Sequence, residues 1–295
     1  MGKILWLASY PKSGNTWLRA FIHNLMRPPK SGQTEAGKGV DINDMNVLTT
    51  GDSLAHWYRH LDPRPPLAWS REDVAKMRRG AQLAMVASKP ETVIVKTHNA
   101  LLEARGYPTI HMDLTAGAIY VVRNPLDLVI SLADHYGVDI DKAIEVMSDP
   151  ANGGLSDGNI VFEIHSSWST HVKSWTHTPH PGLLVVRYED MLAKPLHTFG
   201  GIARFMGLKV PRERLDRAIE LSSFKNLRQQ EDAKGFQEKS LKGSKFFRVG
   251  KAGQWRDTLT SAQIDRVVEL HQEQMARFGY WPLDAAAKGI GAKGA

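Results

Sequence analysis

Several residues able to hold an anion crowd one short stretch, Tyr10-Pro11-Lys12-Ser13-Gly14-Asn15-Thr16-Trp17. Lys12 supplies a full positive charge, Ser13 and Thr16 supply hydroxyl donors, and Gly14 lets the backbone approach a ligand closely. Backbone N–H groups at a helix start add donors and positive potential. Together these types make a phosphate cradle. The order differs from the triphosphate pattern G-x-x-x-x-G-K-[ST], because Lys12 precedes its glycine and no earlier glycine frames the loop. The plainer alternative is a strand-to-helix turn with a surface lysine. Farther along, Lys96-Thr97-His98 places a cation beside an imidazole, whose pKa suits proton transfer near neutrality. Arg123 and Arg187 follow two other apolar runs.

These residues need strands and helices to bring them together. Ile4–Ala8 is an apolar run fit for a strand buried on both faces. Trp17, Leu18, Phe21, Ile22, Leu25 and Met26 recur at helical spacing, with Asn15 as the expected N-cap. Further strands are expected at Thr92–Thr97, Ala118–Val122 and Leu183–Val186. Asn124-Pro125 opens a helix as cap and first residue, and Ser70/Asp73 and Thr260/Gln263 form capping boxes. Helices are also expected at Phe162–Trp175, Pro195–Met206 and Pro211–Ser222. The alternation predicts an α/β fold with three layers: a central, mostly parallel sheet flanked by helices, with a P-loop-like strand–loop–helix at its start. Pro28–Ser53 reads as a long loop, and Arg228–Gly253 as a loop or lid. Residues 1–285 are expected to form one domain and 286–295 a flexible tail.

In such sheets the ligand lies beyond the carboxyl ends of the strands. The expected strands run into Lys12, Lys96, Arg123 and Arg187 there, which favours an anion. Glu189 and Asp190 are the carboxylates at a strand end, so the chemistry reads as metal-independent, with cations and N–H groups in place of magnesium. His177 and His180 lack a third ligand at suitable spacing. The chain has 295 residues, 42% hydrophobic, a formal net charge of +7 and no cysteine. That excludes disulfides and thiolate chemistry and suits a reducing cytoplasm. No apolar run approaches a membrane span. The basic excess suits a polyanionic partner, and a small nucleotide explains it as well as a nucleic acid does. Gly289–Gly294 spells a dinucleotide fingerprint, but without the strand and helix it requires.

The Tyr10–Trp17 loop and the segment Tyr120–Ser131, YVVRNPLDLVIS, resemble the cytosolic-type sulfotransferases, enzymes that use 3′-phosphoadenosine 5′-phosphosulfate (PAPS). The resemblance spans about residues 3–281. It implies transfer of a sulfuryl group from PAPS to an acceptor hydroxyl by in-line displacement, leaving adenosine 3′,5′-bisphosphate (PAP), with no metal required. By the same resemblance His98 is the general base, and Lys12 and Lys96 stabilise charge on the sulfuryl group and the leaving phosphate. Lys12, Ser13, Gly14, Asn15, Thr16 and Trp17 hold the 5′-phosphosulfate end, and Arg123 and Ser131 the 3′-phosphate. Trp17, Tyr188 and Phe224, with Ser222 close by, receive the adenine. Arg248 and Gly250, in Arg248–Trp255, match the family's R-K-G-x-x-G-D-W, and both contribute to donor binding.

The sequence departs from that pattern at three positions. Val249 replaces a lysine at the 3′-phosphate, Gln254 replaces an acid, and Asn15 replaces a threonine. Lys251 is a candidate to compensate for Val249. The vertebrate dimer motif matches Arg256–Ser261 poorly, which leaves a homodimer open. The acceptor side falls on residues 28–69, 137–168 and 229–247, where Trp57, Tyr58, Trp69, Phe236, Phe246 and Phe247 are either pocket walls or loop anchors. A small alcohol, a phenol and a glycosylated metabolite all remain as acceptors. A nucleotide kinase or related NTPase, and a nucleic-acid-binding module with a basic edge, are the alternative readings. The expected partners are a nucleotide and a hydroxyl acceptor, with no nucleic acid and no membrane.

Overall fold

Apolar residues at every second position of the strands point alternately to two separate cores, and this builds the fold. The computed structural model describes residues 2–27, 39–238, 245–247 and 250–283. Its strands are β1 (Ile4–Ser9), β2 (Thr49–Gly51), β3 (Val93–Thr97), β4 (Glu103–Ala104), β5 (Tyr107–Pro108), β6 (Thr115–Val122) and β7 (Leu183–Arg187). The helices are α1 (Asn15–Met26), α2 (Arg71–Ala87), α3 (Pro125–Tyr136), α4 (Ile140–Ser148), α5 (Trp168–Thr176), α6 (Tyr188–Ala193), α7 (Pro195–Phe205), α8 (Arg212–Leu221), α9 (Phe224–Lys234), α10 (Trp255–Thr258) and α11 (Ser261–Arg277). Short 3-10 turns join several of them.

Five strands form one parallel sheet in the order β2-β3-β1-β6-β7, and β4 and β5 make a separate small ribbon. Ile4, Trp6 and Ala8 of β1, Val93 and Val95 of β3, and Ala118, Tyr120 and Val122 of β6 pack into the core shared with α2, α3, α4, α5 and α11. Leu7, Ile94, Ile119 and Val121 pack into the other core, under α1, α7 and α8. The period-two alternation therefore fills both faces, as a sheet between helical layers requires. The parallel α/β architecture expected from the sequence is the one observed.

Both expected capping boxes are present, Ser70 with Asp73 and Thr260 with Gln263. Asn124 caps α3, accepting from the Leu126 N–H at 3.0 Å, with Pro125 in the first turn. Other expectations need correction. Asn15 is not the cap of α1. Gly14 occupies that position at φ 107°, and the Asn15 amide turns back to donate to the Leu7 carbonyl at 2.8 Å. The stretch read as a loop, Pro28–Ser53, contributes β2, an edge strand too short to show a period. The helix expected at Phe162–Trp175 begins at Trp168, because Ser167 caps it. Residues 162–167 stay irregular. The lid read at Arg228–Gly253 instead contains most of α9, which Ser223 caps. Helix α4, capped by Asp139, lies where no element was expected. The expected tail, 286–295, lies outside the described residues, as do 28–38 of the long loop.

The Asn124 cap sits at the start of the helix that carries Ser131. Asn124→Ala should lower the unfolding free energy by about 1 kcal/mol, read from urea titration. An unchanged midpoint and slope would show that this cap does not stabilise α3.

Candidate active site

The carboxyl end of β1 is hydrogen-bonded to the residues that follow the neighbouring strands. The Ser9 carbonyl accepts from His98 Nδ1 at 2.8 Å, and the Lys12 carbonyl accepts from the Arg123 guanidinium at 2.9 Å. Lys12 (φ 66°) and Gly14 (φ 107°) take left-handed backbone on the way into α1. A Cβ on Gly14 would meet the Tyr188 ring at 2.7 Å, so glycine is required there for space as well as for backbone angle. The N–H groups of the first turn of α1 are left facing outward without helical partners.

A cavity of about 660 Å3 opens above these ends. Lys12, Gly14, Asn15, Thr16, Trp17, Lys96, His98, Arg123, Ser131, Tyr188 and Phe224 all line it. The structure thus brings together most of the residues singled out in the sequence. Ser13 is fully buried and its hydroxyl has no partner. Gly250, at φ 62°, lies against Phe224, where a Cβ would run into the ring. Arg248 and Val249 lie outside the described residues, so the R-K-G pattern is seen here through Gly250. Ser222 is not among the lining residues. It is buried, and its hydroxyl donates to the Ala218 carbonyl at 2.7 Å. Arg187 also turns away, stacking on Tyr280 at 4.7 Å in a smaller cleft shared with Glu189.

Charge is concentrated in the cavity. Burial, with Arg123 and Lys96 nearby, pushes the Lys12 ammonium down to about 8. Its Nζ lies 4.0 Å from the centre of the Phe246 ring. Arg123 lies 4.4 Å from the Tyr188 ring centre. Burial, reinforced by Lys96, pushes the His98 imidazole down to about 3, so it is neutral at pH 7. Because a carbonyl can only accept, Nδ1 carries the hydrogen and Nε2 keeps a lone pair. Such an imidazole can take a proton from a hydroxyl placed beside it.

Sequence reasoning missed the residues that hold these groups. Asp52, buried after β2, accepts from Thr97 Oγ1 at 2.7 Å and from Asn99 Nδ2 at 2.9 Å, gripping both neighbours of His98. Burial and the nearby Glu163 push its carboxyl up to about 6. Arg19, buried on α1, donates to both oxygens of Glu238 at 2.7 and 2.9 Å, and to Thr49 and Asn46. Asp127 accepts from the backbone of Gly253 at 2.6 Å and of Trp255 at 3.1 Å, tying the C-terminal segment to α3. An acidic residue inside the apolar stripe of a helix was the available signal for Asp127. Of the six aromatics assigned to the acceptor side, Phe246 and Phe247 line the cavity, and Phe236 packs behind them. Tyr58 and Trp69 are buried in the core, and Trp57 donates to Thr50 Oγ1, so these three anchor loops.

A parallel sheet with an anion loop, a row of cations and a neutral histidine at its carboxyl edge defines an enzyme that transfers a group from an anionic donor. A family model described as Sulfotransferase domain matches residues 3–279, and the chain belongs to this family. It is a PAPS-dependent sulfotransferase, moving a sulfuryl group to a hydroxyl acceptor. Among its relatives, mouse sulfotransferase 2A2 is 28% identical over 291 residues, covering 95% of this chain and 87% of the relative. Dog sulfotransferase 1B1 is 27% identical over 279 residues, covering 92% and 82%. Among solved structures, retinol dehydratase in complex with retinol and PAP superposes with a TM-score of 0.61 at 21% identity, covering 92% of this chain and 81% of the other. Mouse SULT7A1 complexed with PAP gives 0.58 at 20%, covering 98% and 88%. No described helix is long and apolar enough to cross a membrane.

Several histidines are held neutral by burial: His98 and His171 near 3, and His23, His135 and His271 near 4, against an ordinary 6.5. Each gains its proton more readily when the chain unfolds. Stability therefore falls as pH drops below about 6.5, by up to about 1.4 kcal/mol per pH unit for each such group. Asp52, raised above its ordinary 3.8, works in the opposite sense between pH 6 and 4 but is a single group. Urea titrations at pH 7 and pH 5 should show a clear loss at the lower pH; equal stabilities would contradict neutral burial.

Proposed function

We propose that His98 is the general base of this sulfotransferase, and that Lys12 and Lys96 carry the charge stabilisation. The observation that carries this reading is the Nδ1 hydrogen bond to Ser9, which leaves Nε2 bare in a cavity shared with Lys12, Lys96 and Arg123. The acceptor oxygen attacks sulfur and forms the new S–O bond as its proton passes to Nε2. The old S–O bond to the 5′-phosphate breaks, and PAP departs with the electron pair. Lys12 and Lys96 offset the negative charge spreading over the sulfuryl oxygens and the leaving phosphate. Backbone N–H groups from the start of α1, with Ser13, Asn15 and Thr16, bind the 5′-phosphosulfate.

Arg123 and Ser131 bind the 3′-phosphate. They are eight positions apart, Arg123 before α3 and Ser131 on it, and both line the cavity. Trp17, Tyr188 and Phe224 receive the adenine, with Gly250 allowing close approach over Phe224. Ser222 supports this wall from within. The acceptor enters beside His98 and Phe246–Phe247 and is a small alcohol, a phenol or a glycosylated metabolite. Residues 1–285 act as one domain, working in the cytoplasm without nucleic acid or membrane, and Lys251 and self-association are open to direct assay.

Replacing His98 with Ala should cost about two to four decades in turnover while PAP binding is retained. Turnover within a few-fold of the parent would remove the base. Arg123→Ala should weaken PAP far more than adenosine 5′-phosphate in calorimetric titration. Equal losses would mean that Arg123 does not read the 3′-phosphate. Tighter binding of ATP–magnesium than of PAP would favour a kinase instead.

A further inference from the structure

The sheet stops one residue short of His98. The last pair between β1 and β3 joins Ala8 with Thr97, and the last between β2 and β3 joins Gly51 with Lys96. His98 lies past both, so the ladder does not set its place. Asp52 lies just past the end of β2 on the same edge. Its N–H donates to the Lys96 carbonyl at 3.1 Å. Its Oδ2 accepts from Thr97 Oγ1 at 2.7 Å and from Asn99 Nδ2 at 2.9 Å. Thr97 Oγ1 in turn accepts from the Asn99 N–H at 3.0 Å. The residues on either side of His98 are thus closed into one ring of hydrogen bonds on a single carboxylate oxygen. All three residues are buried, so without Asp52 the Thr97 hydroxyl and the Asn99 amide would lose this partner in a dry site.

Bonds beyond that ring tie it to the rest of the fold. The Tyr58 hydroxyl donates to the Asp52 carbonyl at 3.0 Å. The Asn99 carbonyl accepts from Trp175 Nε1 at 2.9 Å, and Asn99 Oδ1 accepts from the Ile164 N–H at 2.8 Å. Ile164 lies between Glu163 and His165, which both line the cavity. Burial and the charge of Glu163 work against an ionised Asp52. Arg78, buried on α2 and donating to the Phe162 carbonyl at 2.7 Å, works for it, as do the bonds from Thr97 and Asn99. A carboxyl oxygen can accept both bonds in either protonation state, so the clamp does not depend on that balance.

We propose that Asp52 is a positioning residue for the reaction. Through Thr97 and Asn99 it holds the backbone on both sides of His98, keeping Nδ1 on the Ser9 carbonyl and Nε2 free for the acceptor hydroxyl. Asp52 is not among the residues lining the cavity and acts through its neighbours. A shift of about 1 Å at a reacting group can cost about a hundredfold in rate, which is the scale of effect open to such a clamp. This inference rests on the reading of His98 as the base of sulfotransfer.

The test reads the His98 ring directly, by long-range proton–nitrogen NMR of the full-length enzyme at neutral pH with PAP bound. His98→Ala identifies the ring's signals, and His23 and His271, which lie outside the clamp, serve as controls. The parent should show His98 as one tautomer, with the hydrogen on Nδ1. Asp52→Ala should give both tautomers at His98 while the controls stay unchanged. It should also lower kcat for radiolabelled PAPS with 4-nitrophenol by about ten- to a hundredfold, with PAP affinity changed by less than about threefold. In the His98→Ala background the same change should cost less than about twofold more. Asp52→Asn, whose amide oxygen can accept both bonds, should restore the single tautomer. Thr97→Val removes one arm of the clamp and takes the place of Asp52→Ala if that variant does not fold. A single tautomer kept after Asp52→Ala or Thr97→Val, a change shared by the control histidines, an equal loss in the His98→Ala background, or an Asp52→Asn ring as disordered as that of Asp52→Ala overturns the inference. The ring signals need no acceptor, so they decide it whether or not 4-nitrophenol is turned over. Absence of PAP binding by the parent in calorimetry sinks the sulfotransfer reading instead, and the clamp is then read in the free enzyme.

Discussion

Backbone carbonyls at the carboxyl end of β1 are the constraint on which the site depends. Leu7 accepts from Asn15, Ser9 from His98, and Lys12 from Arg123. Strand β1 lies between β3 and β6, so the residues leaving both neighbours can reach its end. The same few peptide groups orient the imidazole, position the guanidinium and set the direction in which α1 departs. A carbonyl that can only accept also selects the histidine tautomer, so the hydrogen bond that fixes the ring also determines which nitrogen is free.

Burial then sets the charge states. Desolvation keeps His98 neutral and brings Lys12 down to about 8, which still leaves it mostly protonated at pH 7. Two acidic groups are held close to the cavity by buried partners, and Glu238 also lies 4.0 Å from Lys96 Nζ. Glu238 is held by Arg19, and Asp52 is turned inward to grip Thr97 and Asn99. Both oxygen contacts of Asp52 fall on one atom, leaving the other buried and unpartnered.

Local signals were legible wherever one residue type has one strong reason to stand in one place. Capping boxes, the Asn-Pro helix start and the apolar strand runs all appear as expected, because each depends on neighbours within a turn. Reading failed where a residue had two options. Asn15 is a good cap by type, yet the Leu7 carbonyl eight residues away takes its amide. Trp57, Tyr58 and Trp69 are apolar enough for a pocket, but the core beneath α2 and the edge of β2 claim them.

The sequence by itself determined the long buried strands, the parallel sheet, and the loop and strand-end residues at its carboxyl edge, because these follow from periodicity, turn chemistry and contiguous motifs. Tertiary structure alone decided which of those residues share the cavity. It brought in Arg123 and Phe224, turned Arg187 and Ser222 away, and set Asp52 and Asp127 to tie together segments far apart in the chain. The physical reason is distance along the chain. A side chain's direction and charge state depend on partners tens to hundreds of residues away, and those meet only when the sheet has formed.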